Sequence, residues 1–492
     1  MRRVLALLLF IPNLLHAATF NVTSAADTSD PGTLRWAMDE HFSQGGDNRI
    51  VFDPALAGST ITLTGTLPQV IFNTLEIDGR DAPGLVIDGD GGGRVFLVGN
   101  NADGFILRNL TVQNSDGLFG GGCLRATGNG DTAITITNVT FADCEQRPPS
   151  DGSSPAFGGA IYTEFNADGL LDIRGSRFVG NRVYGTANQL LGGAIYAEGG
   201  TVTLLENHFE LNSAENLGSA SDQGGAVYIR DAEVSLNDNE FLFNQAGGAG
   251  GAVSLNLRPE NVASVQRNLF AANVASLGAA VWTGTQSIGG DVPFFNVWNN
   301  TFLSNTSSSS PGGSIYVREG QLVTRNNSWI DNTNTSSGAA HLAYNPDGAD
   351  FLATWNNLFS AATTDACATL NDNPPAPFGS AGYNLLPDAS CSINGFNDLI
   401  GDAGRFLPLG DYGGITRTVP PASQNLALDN ANPDPITSTN AALCTFTDAR
   451  GVDRPGDGDA DGTAVCDMGA FEWPHEAPLF IDGFEAGGLV IP

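Results

Sequence analysis

Internal repetition limits what this chain can fold into more than any other feature. A block of two small residues, an alanine and an apolar pair recurs as Gly158-Gly-Ala-Ile-Tyr162, Gly192-Gly-Ala-Ile-Tyr196 and Gly224-Gly-Ala-Val-Tyr228. It continues from Gly250, Gly278, Gly312 and Gly338, with a degenerate first copy at Gly121-Gly-Cys-Leu-Arg125. Between the blocks stands an aromatic residue with asparagine three positions on: Phe178 and Asn181, Phe209 and Asn212, Phe241 and Asn244, Phe270 and Asn273, Phe302 and Asn305, Trp329 and Asn332. A second asparagine sits two before the aromatic, at Asn207, Asn239, Asn268, Asn300, Asn327 and Asn357. The steps from Phe141 to Phe359 average about 31 residues.

Short alternating runs such as Leu171 and Ile173, Val202 and Leu204, or Val234 and Leu236 read as strands. They end at Gly or Asn, which tolerate corner conformations. A unit of this length cannot bury a face alone, so it stacks on copies of itself. Successive coils then pair as parallel strands roughly 4.8 Å apart. Equivalent side chains fall above one another, giving an internal column of Phe and Trp and a corner ladder of Asn amides. The expected fold is all-β: a right-handed single-stranded parallel β-helix, the pectin-lyase-like solenoid. A β-propeller is the rival, but its blades run nearer about 40 residues with longer strands.

The ends differ from the middle. Arg2 and Arg3, the apolar stretch 5–15 and the small pair Ala17 and Ala18 read as a secretory signal over 1–18, cut after Ala17 or Ala18. No later segment reaches the roughly 18 apolar residues of a membrane helix. Residues 19–120 form an N-terminal cap and first coils, opened by a short amphipathic helix with Leu34, Ala37, Met38 and Phe42 on its apolar face. Repeat coils occupy 121–406, a small C-terminal module 407–473 and a tail 474–492. Export favours disulfides, and clustering of the six cysteines favours the local pairs Cys123–Cys144, Cys367–Cys391 and Cys444–Cys466. No Cys-x-x-Cys occurs, which argues against zinc.

The charge balance excludes several partners. All 21 cationic side chains are Arg, there is no Lys, and 53 acids leave a formal charge of −32. Nucleic acid and anionic membranes need clustered cations. Without lysine there is no Schiff base, no P-loop and no lysine general base.

The alternation of Gly-Gly-Ala-apolar with Phe-x-x-Asn resembles the passenger repeats of polymorphic outer-membrane proteins over about 121–359. Nothing after Phe359 alternates over enough strands for the membrane barrel those autotransporters carry. The helix with Leu34-Arg-Trp-Ala37 is similar to caps of secreted β-helix proteins. Asp411-Tyr-Gly-Gly-Ile-Thr416, Asp448-Ala-Arg-Gly-Val-Asp-Arg-Pro455 and Cys466-Asp-Met-Gly-Ala-Phe-Glu472 resemble the C-terminal module of bacterial choice-of-anchor β-helix proteins. That resemblance implies association with the cell surface or secretion. The stretch 479–485 resembles short tails on other exported bacterial proteins.

Candidate chemistry is sparse. Asp457, Asp459 and Asp461 alternate, with Gly462 at the sixth position of a calcium-type loop, but the twelfth is Met468 instead of Glu. Calcium is the one cofactor the sequence suggests; none is required. Arg450 and Arg454 among Asp448, Asp453 and Asp467 are expected to form structural ion pairs. Loops between the aromatic and the next block are long in three consecutive coils and short in the later ones, so they are expected to form one wall. Its polar residues Arg147, Tyr184, Asn188, Glu215 and Asn216 suit a glycan. Arg174, Arg177, Arg267 and Arg325 have no companion Asp cluster, and His41, His208, His341 and His475 are scattered, so no residue is singled out as catalytic. The functional expectation is a non-enzymatic exported rod, secreted or at the cell surface, that adheres or binds a polysaccharide. The alternative is a polysaccharide lyase or glycoside hydrolase acting on acidic polysaccharide.

Overall fold

The computed structural model describes residues 17–148, 155–166, 168–185, 189–215, 221–285, 292–344, 352–369, 378–391, 395–434, 443–459 and 461–474. The chain winds as a parallel β-solenoid of about 11 turns with one helix near its N-terminus. A first sheet of 13 strands runs from Thr19–Val22 to Phe378–Gly382, and a third sheet of 10 strands from Phe96–Val98 to Cys367–Thr369. Between them in each coil lies a second sheet, built of short strands such as His208–Glu210 and Ser213–Glu215. Every sheet pairs coil to coil in parallel register, for example Leu170↔Thr201 and Leu171↔Val202.

The second sheet carries the expected column. Phe141, Phe178, Phe209, Phe241, Phe270, Phe302, Trp329 and Phe359 are all fully buried. Neighbouring rings stack face to face, 4.4 Å apart between Trp329 and Phe359 and 5.3 Å between Phe302 and Trp329. Both asparagine ladders form as well. Asn244 Nδ2 donates to Asn273 Oδ1 at 3.0 Å and to the Phe209 carbonyl at 3.0 Å. Asn273 repeats the pattern on Asn305 and Phe241. The other ladder runs Asn207, Asn239, Asn268, Asn300, Asn327, Asn357 and Asn384, ending on Asp398. Each amide thereby satisfies buried corner carbonyls that no strand can reach.

The alanine of each block faces the first ladder inside the coil. Ala160, Ala194, Ala226, Ala252 and Ala280 are buried there. At the N-terminal end Cys123 takes the alanine slot and Cys144 the asparagine slot, whose N–H bonds Asn181 Oδ1, and the two are joined as a disulfide. At the other end the block expected to begin at Gly338 is displaced by one residue. Leu342 pairs with Ile315, so His341 occupies the alanine slot. All three expected disulfides are formed.

The capping helix spans Leu34–Gln44, with Thr33 as its N-cap accepting from Trp36 N–H. Leu34, Ala37 and Met38 are buried as expected, but His41 replaces Phe42 on the inner face, and Phe42 is 56% exposed. The imidazole reaches Asn48 Nδ2 at 3.0 Å, an anchor that Phe42 lacks.

The described residues of 407–474 run back along the outside of the rod. Leu409 and Val419 cover a stripe made by Leu242, Leu269, Ala271, Leu303 and Ile330. Arg417 makes a bidentate pair with Glu240, Thr418 bonds Thr301 at 2.9 Å, and Ala470 N–H bonds Ser328. Inside this segment Arg450 pairs with Asp448, while Arg454 pairs with Glu472 at 2.6 Å instead of Asp453 or Asp467. Glu472 is fully buried beside Arg454, whose guanidinium also donates to the Asp467 and Gly469 carbonyls. The signal-like residues 1–16, the tail 475–492 and His475 lie outside the described residues.

Candidate functional site

Turn lengths create a groove where the third sheet hands over to the first. Five positions separate Tyr196 from Thr201 and Tyr228 from Glu233, but eight separate Tyr162 from Leu170 and Ser254 from Val262. Two short turns therefore lie sunken between longer ones. The short turn at Gly199-Gly200 needs glycine: φ is 78° and 68°, and a Cβ would stand 2.0 Å from Phe165 O and 2.1 Å from Gly169 O. The resulting groove crosses six successive coils and holds about 710 Å³.

Its lining is polar and acidic. The lining carries Glu164, Glu198, Asp231, Glu233 and Glu260 against Arg125 and Arg258, and Arg230 beside it reaches Glu198 at 3.7 Å and Asp231 at 3.6 Å. Asn100, Asn129, Asn166, Asn261, Thr127 and Thr201 supply neutral hydrogen-bonding groups, and Phe165 an apolar patch. Glu164 and Glu198 are direct register partners on adjacent strands. Each is held by the tyrosine two positions earlier: Tyr162 OH donates to Glu164 at 2.7 Å and Tyr196 OH to Glu198 at 2.5 Å. The two phenols stack at 5.2 Å, and burial, then the bond to the carboxylate, raises the pKa of both. Arg258 pairs with Asp231 at 3.2 Å. Arg125 lies over the Tyr162 ring at 5.4 Å and, among the described residues, makes no ion pair or hydrogen bond.

The anticipated loop wall stands at the opposite end of the third sheet. Arg147 is the register partner of Leu118, and Tyr184 that of Glu215. The Arg147 guanidinium lies 5.8 Å from the Tyr184 ring centre, and Arg182 lies 4.5 Å from it. Arg147, Tyr184 and Glu215 are thus brought into one row, but Arg147 is engaged by Asp116 and Arg182 by Glu145. Asn188 and Asn216 lie outside the described residues.

In the acidic turn, Asp457 and Asp459 meet Asp429, each offering an oxygen within 4.8 Å of the others; Asp461 is not in this group. The Asp461 carboxylate accepts from Thr463 N–H at 2.8 Å. Burial raises the Asp429 pKa against bonds from the N–H groups of Gly458 and Asp459. Met468, at the loop's twelfth position, is buried and offers no hard oxygen from its side chain.

The sequence reasoning missed the groove, although its signal was present. The gap from the block's aromatic to the next strand varies from coil to coil, just as the gap on the other side does. Compared with known proteins, the chain matches no family model and no curated protein.

Proposed function

We propose that the chain is an exported rod that binds an extended glycan along this groove without cleaving it. The groove carries the reading: it is elongated across six coils, lined by Asn, Thr and carboxylate groups that match sugar hydroxyls, and set on strands paired in register. Export rests on the signal-like character of 1–18 and on the three disulfides. The row of Arg147, Tyr184 and Glu215 is a second polar surface flanking the same sheet. Cleavage is the second reading, favoured only by Glu164 and Glu198 lying side by side.

Binding to immobilised polysaccharides tests the first reading. Thr201→Trp at the exposed start of a strand fills the groove, and we expect binding to fall more than tenfold with an unchanged melting temperature. Binding that survives this plug, or none to any glycan, overturns the proposal. Release of reducing ends or unsaturated sugars, lost in Glu198→Gln, would establish cleavage instead. Calcium at Asp429, Asp457 and Asp459 is a separate proposal. Calcium should raise the melting temperature and Asp429→Asn should abolish the rise; no rise in the parent protein overturns it.

A further inference from the structure

The charges lining the groove differ in whether they have partners. Glu164 accepts from the Tyr162 hydroxyl and Glu198 from that of Tyr196. Asp231 pairs with Arg258, while Arg230 reaches both Glu198 and Asp231. Glu233 accepts from Val262 N–H at 3.1 Å and from Asn261 Nδ2 at 3.4 Å. Among the described residues, Glu260 and Arg125, at opposite ends of the groove, are the lining charges with neither ion pair nor side-chain hydrogen bond. Glu260 is exposed, so water solvates it. Arg125 differs: its Nε is buried without an acceptor, and its Nη groups meet none on the protein. A guanidinium partly shut off from water needs an acceptor that the chain does not supply.

The surroundings of Arg125 suit an anion. Tyr162 is its register partner, and the guanidinium lies 5.4 Å from that ring's centre, which restrains it without neutralising it. Arg94 adds a second positive charge nearby, with its own donors taken by the carbonyls of Leu118, Gly120 and Gly121. Burial, then the charge of Arg125, lowers the Arg94 pKa to about 10, and no carboxylate offsets the fall. Thr127 donates to Asn100 Oδ1, which leaves Asn100 Nδ2 as a donor, and Asn129 adds another amide. No acid lines these first two coils; Glu164 comes one coil further on.

Resting on the glycan reading above, we infer that this end of the groove is an anion subsite. Arg125, Asn100 and Asn129 take the carboxylate or sulfate of one acidic sugar, while neutral sugars fill the coils beyond. A guanidinium presents two parallel N–H donors to such a group. Acidic sugars further along would face Glu164, Glu198, Glu233 and Glu260 at roughly 4.8 Å per coil, each contact repulsive. The ligand class is therefore a mostly neutral glycan with isolated acidic sugars, seated in one register by Arg125.

Calorimetric titration of the protein with four soluble β-glucan hexamers tests this: one neutral, one with a single terminal glucuronate, one with a single terminal sulfate, and one with every sugar oxidised to glucuronate. At least one singly charged hexamer should bind about fivefold more tightly than the neutral one, and the margin should shrink as salt is raised. The fully oxidised hexamer should bind more weakly than that singly charged one. Arg125→Gln should bring singly charged and neutral hexamers to equal affinity with an unchanged melting temperature, since no ion pair or hydrogen bond is lost. If the neutral hexamer binds as well as both singly charged ones, or the preference survives Arg125→Gln, the anion subsite falls and the glycan reading stands. Tightest binding by the fully oxidised hexamer also overturns it. If no hexamer binds, the inference falls, and the immobilised polysaccharides of the preceding test decide the glycan reading separately.

Discussion

His341 sits in the slot that Ala160, Ala194, Ala226, Ala252 and Ala280 fill in earlier coils, and it ends a hydrogen-bond ladder. Its Nε2 is 3.0 Å from the Ser360 carbonyl, which can only accept, so Nε2 carries the proton. Nδ1 therefore accepts from Asn332 Nδ2, at 3.2 Å, and terminates the row of amides. Burial pushes the imidazole pKa down to about 4. An unfolded histidine protonates near pH 6.5, so the unfolded state binds this proton first as pH falls. The stability tied to His341 is complete above about 6.5 and is lost progressively down to about 4. Between neutral pH and pH 5 the loss should be about 2 kcal/mol. His341→Ala should lower stability at neutral pH by about 1–3 kcal/mol, because Asn332 loses an acceptor, and should erase this pH dependence. Urea titrations of both proteins at the two pH values decide the matter; an equal slope in both removes histidine from the account. The asparagine ladders were legible in the sequence because parallel register forces equal residues into equal slots. His341 was not: a block aligned on Gly338 puts it one place too far along, at an apolar position.

Elements in this rod are set by their turns more than by strand propensity, since strands of two to eight residues, most of them five or fewer, cannot pair without neighbours in register. The glycines entering the third sheet show how little room the turn leaves. A Cβ on Gly193 would stand 2.0 Å from the Gly225 carbonyl of the next coil, whereas one on Gly175 meets nothing within 4 Å, although φ there is 57°. Gly175→Ala should cost about 1 kcal/mol, the left-handed backbone alone. Gly193→Ala must separate two coils and should cost about 3 kcal/mol or more, with the loss spreading to both. Thermal or urea unfolding of the pair measures the gap, and similar costs would mean that the coils yield easily. Turn lengths also explain why the groove escaped the sequence reading. The loops whose lengths stand out in the sequence lie between the aromatic and the following block, where Arg147, Tyr184 and Glu215 lie. The complementary turns, short at 199–200 and long at 258–261, are composed of ordinary Gly, Arg, Pro, Glu and Asn. Their significance appears only when coils are stacked and a short turn becomes a depression.

A solenoid has few contacts that reach beyond adjacent coils, so its stability is a sum of rungs and their interfaces. Residues 407–474 break that rule by binding several coils at once. Their position follows from the residue after each ladder aromatic. It is Glu210 in an early coil but Leu242, Ala271, Leu303 and Ile330 where Leu409 and Val419 lie across them. This change from polar to apolar on an outward strand position was readable in the sequence; which segment would cover it was not, because the described residues of 407–474 have almost no regular structure of their own. Glu240 and Arg417 fasten the segment's far end. Burial alone would raise the Glu240 pKa, but hydrogen bonds from His208 and Arg417 and the charge of Arg417 outweigh it and hold it at about 2. The unfolded carboxyl protonates near pH 4.5. Its contribution, at most about 3 kcal/mol, is therefore complete above that value and is lost as pH falls towards 2. Glu240→Gln should remove this acid-sensitive part of stability. It should also release the strap locally: hydrogen exchange should quicken for the second-sheet strands Glu240–Leu242 and Leu269–Ala271, while Ala133–Thr137 and Leu170–Arg174 keep their protection. Uniform loss along the rod would show that the coils unfold as one unit. Unchanged exchange at both ends would show that Leu409 and Val419 hold the segment without the ion pair.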